Sequence, residues 1–240
     1  LIDSRKTLLS DQTLFFAISG DRHDGHQFIP DLYAAGIRQF VVEHPVSVDQ
    51  YQEANIILVD SSRTALQALA EAHRKNFTIP IIGITGSNGK TIIKEWLFQL
   101  LSPDYKVVKN PGSYNSQVGV PLSIWQIQNH HQLGVFEAGI SRPTEMERLA
   151  KIIRPTLGIF SNLGSAHDEG FVSQVEKVRE KLKLFNEVEA LIYCSDNALL
   201  KSEIQQSKIP AISWGFKGGG DYLLQQQINR ITLKDKKGEF

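Results

Sequence analysis

The chain has 240 residues, of which 41% are hydrophobic and 22% charged, a composition typical of a globular protein with one large domain or two smaller ones. Its 26 basic and 26 acidic side chains cancel, which excludes a global field favouring nucleic acid or an acidic membrane surface. The sequence shows no apolar run of membrane-spanning length, and the only cysteine, Cys194, lies in an apolar stretch typical of a core position. We therefore expect a cytoplasmic protein without disulfides.

The first segment, to about residue 77, has the pattern of a small α/β unit. Short apolar runs predict strands at 14–18, 40–42 and 56–59. Helical spacing predicts helices at 28–35, ended by Gly36, and at 64–77. We place the boundary near Thr78-Ile79-Pro80, which gives domains at 1–78 and 79–240.

The second segment alternates strands and helices. Strands are predicted at 81–85, 105–109, 133–137, 157–161, 190–194 and 211–214. Helices are predicted at 91–101, 118–126, 144–152, 175–186 and 197–206. This order predicts an α/β fold with a mostly parallel sheet flanked by helices, and in such sheets ligands bind at the carboxyl ends of the strands.

Both ends of the sequence look cut. Residues 228–233 predict a strand and 234–238 a hairpin turn, but we find no returning strand in the pattern. We therefore expect a fragment of a longer protein, with the second domain incomplete.

The stretch Thr-Gly-Ser-Asn-Gly-Lys-Thr joins an apolar strand to a helix, as a phosphate-binding loop does. Glycines let backbone amides turn toward phosphate oxygens, and the helix start adds its positive dipole end. Lys90 would reach the terminal phosphates of ATP, and the Thr91 hydroxyl would hold Mg²⁺. An ordinary strand-to-helix turn that needs glycine is the alternative. The nucleotide-binding set is Thr85, Gly86, Ser87, Asn88, Gly89, Lys90 and Thr91.

Two further polar residues lie at or beyond the ends of the third and fourth predicted strands of the second segment. Glu137 ends an apolar strand and is a natural Mg²⁺ ligand, although an ordinary solvated acid would fit the same pattern. His167 lies in a polar loop, where it could bind metal, contact phosphate or simply be exposed to solvent.

Five stretches together resemble the Mur ligase family, which joins amino acids to a peptidoglycan precursor with ATP. The resemblance runs from Asp3 to about Tyr222, and within the family it is greatest to the branch that adds D-alanyl-D-alanine to a UDP-N-acetylmuramoyl-tripeptide. In detail it is similar to members fused to an alanine racemase. The stretches are DSR at 3–5 with DGHQF at 24–28, TGSNGKT at 85–91, NSQVGVP at 115–121, EAG at 137–139 and NLGSAHDE at 162–169.

The resemblance implies roles for individual residues. A uridine-nucleotide site would use Ser4, Arg5, Asp24, Gly25 and His26. The catalytic residues would be Lys90, Asn115, His167 and Lys181, and the metal ligands Thr91, Glu137, His167 and Lys181. Ser116 stands where the family usually has asparagine.

Lys181 is expected to carry a CO₂-derived carbamate, which would bridge to a second Mg²⁺. Lys183 lies close enough in the sequence to compete for this role. Alternatively, Lys177, Lys181 and Lys183 form a basic, solvated helix face.

The resemblance also implies a reaction, in which ATP phosphorylates the tripeptide carboxylate and the dipeptide amine attacks the resulting acyl phosphate. The family's C-terminal, amino-acid-binding domain is missing here, so we expect the fragment to be inactive alone. Three alternatives stay open: another ligase of the superfamily, such as a diaminopimelate-adding, folylpolyglutamate or cyanophycin enzyme; a P-loop phosphotransferase or NTPase switch; and a non-catalytic nucleotide-binding module.

Overall fold

The computed structural model describes residues 13–20, 23–164, 170–227, 230–235 and 238–239. By its internal contacts the chain divides into two compact units, Leu1–Leu69 and Ala70–Phe240. The division falls within helix α2 (Ser62–Arg74), somewhat earlier than the boundary expected near residue 78, and the functional domain limits stay a prediction.

The first unit contains a parallel sheet with strand order β1-β2-β3. Its strands are β1 (Leu14–Phe16), β2 (Gln39–Val42) and β3 (Asn55–Leu58). Helix α1 (Ile29–Ala34) has proline in its first turn and is followed by Gly36 at a φ of 98°, a conformation that favours glycine. The core packs Phe15 edge-on against Phe40, and both residues lie in the short apolar runs from which β1 and β2 were predicted.

The second unit holds the remaining elements, of which β4 to β9, β11 and α3 to α7 begin and end within a few residues of the limits predicted from sequence. Its strands are β4 (Ile81–Thr85), β5 (Val107–Lys109), β6 (Leu133–Glu137), β7 (Leu157–Phe160), β8 (Ala190–Cys194), β9 (Ala211–Gly215), β10 (Tyr222–Gln227), β11 (Arg230–Asp235) and β12 (Gly238–Glu239). Its helices are α3 (Lys90–Leu101), α4 (Gly119–Ile124), α5 (Glu145–Ile153), α6 (Gln174–Leu182) and α7 (Ala198–Ser207).

The sheet of this unit has the order β12-β11-β10-β9-β8-β7-β4-β6-β5. The strands from β5 to β10 are parallel, which confirms the mostly parallel sheet predicted from the alternation of elements. Apolar side chains of the strands and helices form one continuous core, in which Phe136 and Phe160 are wholly or almost wholly buried. Within the described residues, none of the helices is both long and apolar enough to cross a membrane.

An antiparallel ribbon extends this sheet beyond β10. Strand β11 pairs with β10 and then with the two-residue strand β12, in which Gly238 lies opposite Asp235. The expectation that no returning strand is present is therefore wrong. Two residues are too few to show an alternating pattern in sequence, although their backbone groups extend the ladder.

Candidate nucleotide and metal site

The strand order explains why the predicted site residues meet. Strand β4 lies between β6 and β7, with Ile84 opposite Glu137 and Thr85 opposite Phe160. The loop that follows β4 is therefore flanked by the ends of both neighbours. All three strands are parallel, so their carboxyl ends form one edge of the sheet, where α/β proteins bind ligands.

Two glycines give the loop its shape. Gly86 has a φ of 139°, and a Cβ there would lie 2.0 Å from Oγ of Ser161. Gly89 has a φ of 81° and caps the start of α3. Both positions require glycine for conformation, and Gly86 also requires it for space.

The loop is fastened to the segment that follows β7. The Ser87 amide donates to the Asn162 carbonyl and the Asn88 amide to its side-chain oxygen, both at 2.9 Å. In return, the hydroxyl of Ser161 donates to the Asn88 carbonyl at 2.7 Å. These bonds fix the position of the loop at the start of α3, whose first-turn amides have no acceptors within the helix and form an anion-binding end.

Two lysines converge on carbonyl groups of this loop. Nζ of Lys90 donates to the carbonyls of Gly86 at 2.9 Å and Ser87 at 3.2 Å, and Nζ of Lys181 donates to that of Gly86 at 3.2 Å. Burial, together with repulsion from Lys90 and then Lys177, lowers the pKa of Lys181 to about 7. Burial also lowers the pKa of Lys90. Lys181 is therefore poised to lose its proton near neutral pH.

The other lysines of α6 and its end differ from one another. Lys177 is 0% exposed and Lys181 only 1%, so the alternative of a solvated basic face is wrong for both. Lys183 instead forms an ion pair with Glu180 at 2.7 Å, and this hydrogen bond raises its pKa. A raised pKa disfavours the neutral amine that reacts with CO₂, which separates Lys183 from Lys181 chemically.

Glu137 is wholly buried at the end of β6. The Thr91 hydroxyl donates to its two carboxylate oxygens at 2.9 and 3.2 Å, and the Asn115 amide approaches one of them at 3.4 Å. A carboxylate, a hydroxyl and an amide supply oxygen donors of the kind that Mg²⁺ prefers. The donor set present therefore fits the predicted divalent metal.

Two residues that lie beside Glu137 were not predicted from the sequence. Oδ1 of Asn110 accepts from the Glu137 amide at 2.6 Å, and Lys94 is 0% exposed with its Nζ 3.8 Å from a Glu137 carboxylate oxygen. Their signals were weak: Lys94 lies one helical turn after Lys90, on the same face of α3, and Asn110 directly follows a strand.

Two of the predicted positions make local structural bonds. The Thr85 hydroxyl donates to the Ala138 carbonyl at 2.9 Å, so this side chain ties β4 to the end of β6. The Ser116 hydroxyl accepts from the Gly119 amide at 3.1 Å and thereby satisfies a donor at the start of α4. The serine at 116 thus stabilises the turn that leads into α4.

The predicted uridine-nucleotide residues lie in the first unit. One carboxylate oxygen of Asp24 accepts from the amide of His26 at 3.0 Å and contacts its Nδ1 at 2.6 Å, while Nε2 accepts from the Glu43 amide at 2.9 Å. Both nitrogens of this buried ring thus have hydrogen-bonding partners. Gly25 lies between Asp24 and His26, at the start of a short 3-10 helix. The remaining predicted site residues lie outside the described residues: Ser4, Arg5 and His167.

Comparison with known proteins identifies the family of the chain. Residues 2–74 match the model of the Mur ligase family, catalytic domain. The chain is 32% identical to the UDP-N-acetylmuramoyl-tripeptide--D-alanyl-D-alanine ligase of Bacillus subtilis, with 99% of this chain aligned to 52% of the relative. It thus spans about half the length of the curated relatives it matches.

Solved structures give the same result. A MurF crystal structure from Acinetobacter baumannii superimposes with a TM-score of 0.88 at 26% identity, over 100% of this chain and 53% of the other. MurF ligase from Thermotoga maritima in complex with ADP gives 0.86 at 28%, over 100% and 56%. The Mur ligase middle domain model matches residues 84–239, well over half of the sequence, and the chain therefore belongs to the Mur ligase family.

Proposed function

We propose that the whole protein is an ATP-dependent ligase that joins D-alanyl-D-alanine to a UDP-N-acetylmuramoyl-tripeptide. The observation that carries the proposal is the hydrogen bond from Thr91, at the end of the phosphate loop, to the buried carboxylate of Glu137. The names of the similar proteins from Bacillus subtilis and Acinetobacter baumannii support the choice of substrates. Because the chain spans about half of these relatives, ligation is proposed for the whole protein and nucleotide binding for this chain.

Amide formation from a carboxylate needs activation, because a carboxylate is a poor electrophile. The tripeptide carboxylate would attack the γ-phosphorus of ATP and release ADP. The dipeptide amine would then attack the carbonyl carbon of the acyl phosphate and expel phosphate. Lys90 and the first-turn amides of α3 would bind the transferring phosphoryl group and neutralise its charge. Asn115, which lies against Glu137, would contact the same region.

Mg²⁺ would be held by Thr91 and Glu137, with His167 and Lys181 as further predicted ligands. When bound, it neutralises charge on the phosphoryl oxygens. Thr91 and Glu137 are already in hydrogen-bonding contact, so little movement is needed to point both oxygens at one ion. Asn110 supports this geometry by fixing the Glu137 backbone.

A carbamate on Lys181 is the finer part of the proposal. The ammonium group would first lose one proton, and the neutral amine would then add to CO₂ and release a second. A buried cation is thereby replaced by an anion able to bind metal. Support comes from the burial of Lys181 and its pKa of about 7, in contrast to the ion-paired Lys183. The test is ¹³C NMR with labelled bicarbonate, where Lys181→Met should remove a carbamate signal that Lys183→Met retains.

The remaining parts of the proposal concern the substrate and the cell. Ser4, Arg5 and the turn at Asp24, Gly25 and His26 would bind the uridine nucleotide. The enzyme would act in the cytoplasm, where nucleotide-linked precursors and ATP are available. An alanine racemase fusion stays a prediction about sequence beyond these 240 residues.

The test has two parts. In the whole protein, ATP-dependent phosphate release should require both the UDP-tripeptide and D-alanyl-D-alanine, and Lys90→Ala should lower kcat by about a thousandfold or more. In this chain, the same change should weaken ADP binding measured by calorimetry. Lys151→Ala is the matched control, since this lysine lies exposed on α5 and contacts only Glu147 among the ion pairs of the described residues.

Each alternative function predicts a different experimental result. Stimulation by diaminopimelate or glutamate in place of D-alanyl-D-alanine would indicate another ligase of the superfamily. Phosphate release without any amine acceptor would indicate a phosphotransferase or NTPase switch. Near-normal ligation by the Lys90→Ala variant would refute the assignment of the phosphate loop.

A further inference from the structure

Helix α3 buries a lysine completely. Lys94 is 0% exposed, and its ammonium group donates to the carbonyl of Asn110 at 2.9 Å and to that of Gly112. A buried ammonium is costly unless a negative charge balances it. The partly exposed carboxylate of Glu95 lies 3.3 Å away, but it also pairs with Lys109.

The buried anion beside Lys94 is the carboxylate of Glu137, at the end of β6. Its carboxylate oxygen lies 3.8 Å from Nζ of Lys94, and both side chains are 0% exposed. Hydrogen bonds from Thr91 and Asn115 orient this carboxylate but add no charge. Lys90 also feels it, because attraction to Glu137 opposes the fall in the Lys90 pKa that burial causes.

A divalent cation that binds Glu137 would therefore lie close to the ammonium group of Lys94. A free metal ion would place two positive charges near Lys94, whose ammonium group is buried, so that Coulomb repulsion between them is strong. A metal ion that arrives bound to a nucleoside di- or triphosphate carries a net negative charge in its complex. The polyphosphate also engages Lys90 and the loop amides, which removes positive charge from the surroundings of Glu137.

We propose that Lys94 is the resident counter-ion of Glu137 and makes divalent-metal binding there dependent on a polyphosphate. The inference rests on the proposed function, because it takes Glu137 as a metal ligand. Lys94 acts through Glu137 and is a positioning residue. In a ligase this coupling prevents the carboxylate from being occupied by free metal before the nucleotide arrives.

The experiment measures Mn²⁺ binding to this chain by electron paramagnetic resonance, with and without ADP. Wild type should bind Mn²⁺ tightly only when ADP is present. Lys94→Gln keeps a donor for the two carbonyls but removes the charge, and should bind Mn²⁺ without ADP at least about tenfold more tightly than wild type. The control is Lys151→Gln, which changes the net charge equally on an exposed helix and should behave as wild type.

The outcomes separate the two proposals. Absence of any Mn²⁺ binding by wild type, with or without ADP, would overturn the proposed metal site and this inference with it. Equally tight binding with and without ADP, or no gain in folded Lys94→Gln, would overturn the inference alone.

A stability measurement covers the case in which Lys94→Gln folds poorly. If Lys94 and Glu137 balance each other, removing both charges should cost less than the sum of the single changes. The fall in unfolding temperature for the Lys94→Gln/Glu137→Gln variant should then be smaller than the sum of the falls for Lys94→Gln and Glu137→Gln. An additive or larger fall would contradict the pairing.

Discussion

The low pKa of Lys181 predicts a specific dependence of stability on pH. Its ammonium group is buried at the loop and donates to the Gly86 carbonyl, and burial with repulsion from Lys90 lowers its pKa from 10.5 to about 7. A lysine whose pKa falls on folding binds fewer protons in the folded than in the unfolded state between those two values. The free energy of unfolding should therefore rise with pH across this window. Lys181→Met should remove the contribution.

The magnitude follows from one proton. Near the centre of the window the slope approaches about 1.4 kcal/mol per pH unit, because the unfolded lysine is protonated and the folded one is not. Between about pH 7.5 and about pH 9.5, the Lys181 contribution should amount to about 2 to 3 kcal/mol. Other titrating groups largely cancel when the variant is subtracted from wild type.

The assay is urea unfolding at three pH values across this range, in buffers purged of CO₂ so that no carbamate forms. Tryptophan fluorescence is a suitable probe, because Trp96, Trp125 and Trp214 all lie in the second unit. Lys183→Met is the matched control. Its ion pair with Glu180 raises the pKa of Lys183, so its contribution to stability is constant below its unfolded pKa and is lost only above this range.

One result would refute the reasoning. If the difference in unfolding free energy between wild type and Lys181→Met is the same at all three pH values, Lys181 keeps its proton throughout. The amine would then be an ordinary ammonium group held by the Gly86 carbonyl, and the chemical case for its carbamylation would fail. A pH-dependent difference between wild type and Lys183→Met would not support the carbamylation of Lys181, because that variant retains Lys181.

Three further changes test the surrounding structure. Gly86→Ala, whose Cβ would lie 2.0 Å from Ser161 Oγ, should cost at least about 2 kcal/mol in urea unfolding, while Gly112→Ala, with open space at its Cβ, should cost about 1 kcal/mol. Lys177→Met removes the donor to the Gly164 carbonyl at 2.6 Å, and calorimetry should show ADP binding weakened about tenfold; unchanged affinity would limit Lys177 to stability. Arg74→Leu leaves the carbonyls at the end of α5 without their guanidinium donor and should cost about 2 to 4 kcal/mol, with an unchanged urea midpoint as the contrary result.

The meeting of the loop with Glu137 and Asn115 could be predicted because it depends on topology alone. Each lies in or just beyond a strand or the connection after it, and parallel strands present their carboxyl ends at one edge. The hydrogen bond from Thr91 to Glu137 follows from that placement. The strand order that makes these ends adjacent, with β4 between β6 and β7, came from the structure and not from the sequence pattern.

The burial of charged residues could not be predicted in the same way. Helix α3 hides Lys94 and exposes Trp96 and Leu100, the reverse of what apolar periodicity indicates. On α6, Lys177 and Lys181 are one turn apart on the same face, a spacing equally typical of a solvated basic stripe. The carbonyl groups that receive these lysines come from distant segments, so the pattern of a single helix cannot reveal them.

Buried lysines and exposed apolar side chains are expected at functional sites, where the residues that the chemistry needs depart from the usual hydrophobic pattern. The whole chain is electrically neutral, and that neutrality excludes a general attraction to polyanions. At the phosphate loop, however, Lys90 and Lys181 donate to loop carbonyls and Lys177 donates to the carbonyl of Gly164, while the buried ammonium group of Lys94 lies 3.8 Å from the carboxylate of Glu137. Positive charge is thus concentrated where backbone amides already favour an anion. Neutrality of the chain and strong local selection for a polyphosphate are compatible, because electrostatic attraction in a water-poor site is set by the few nearest charges.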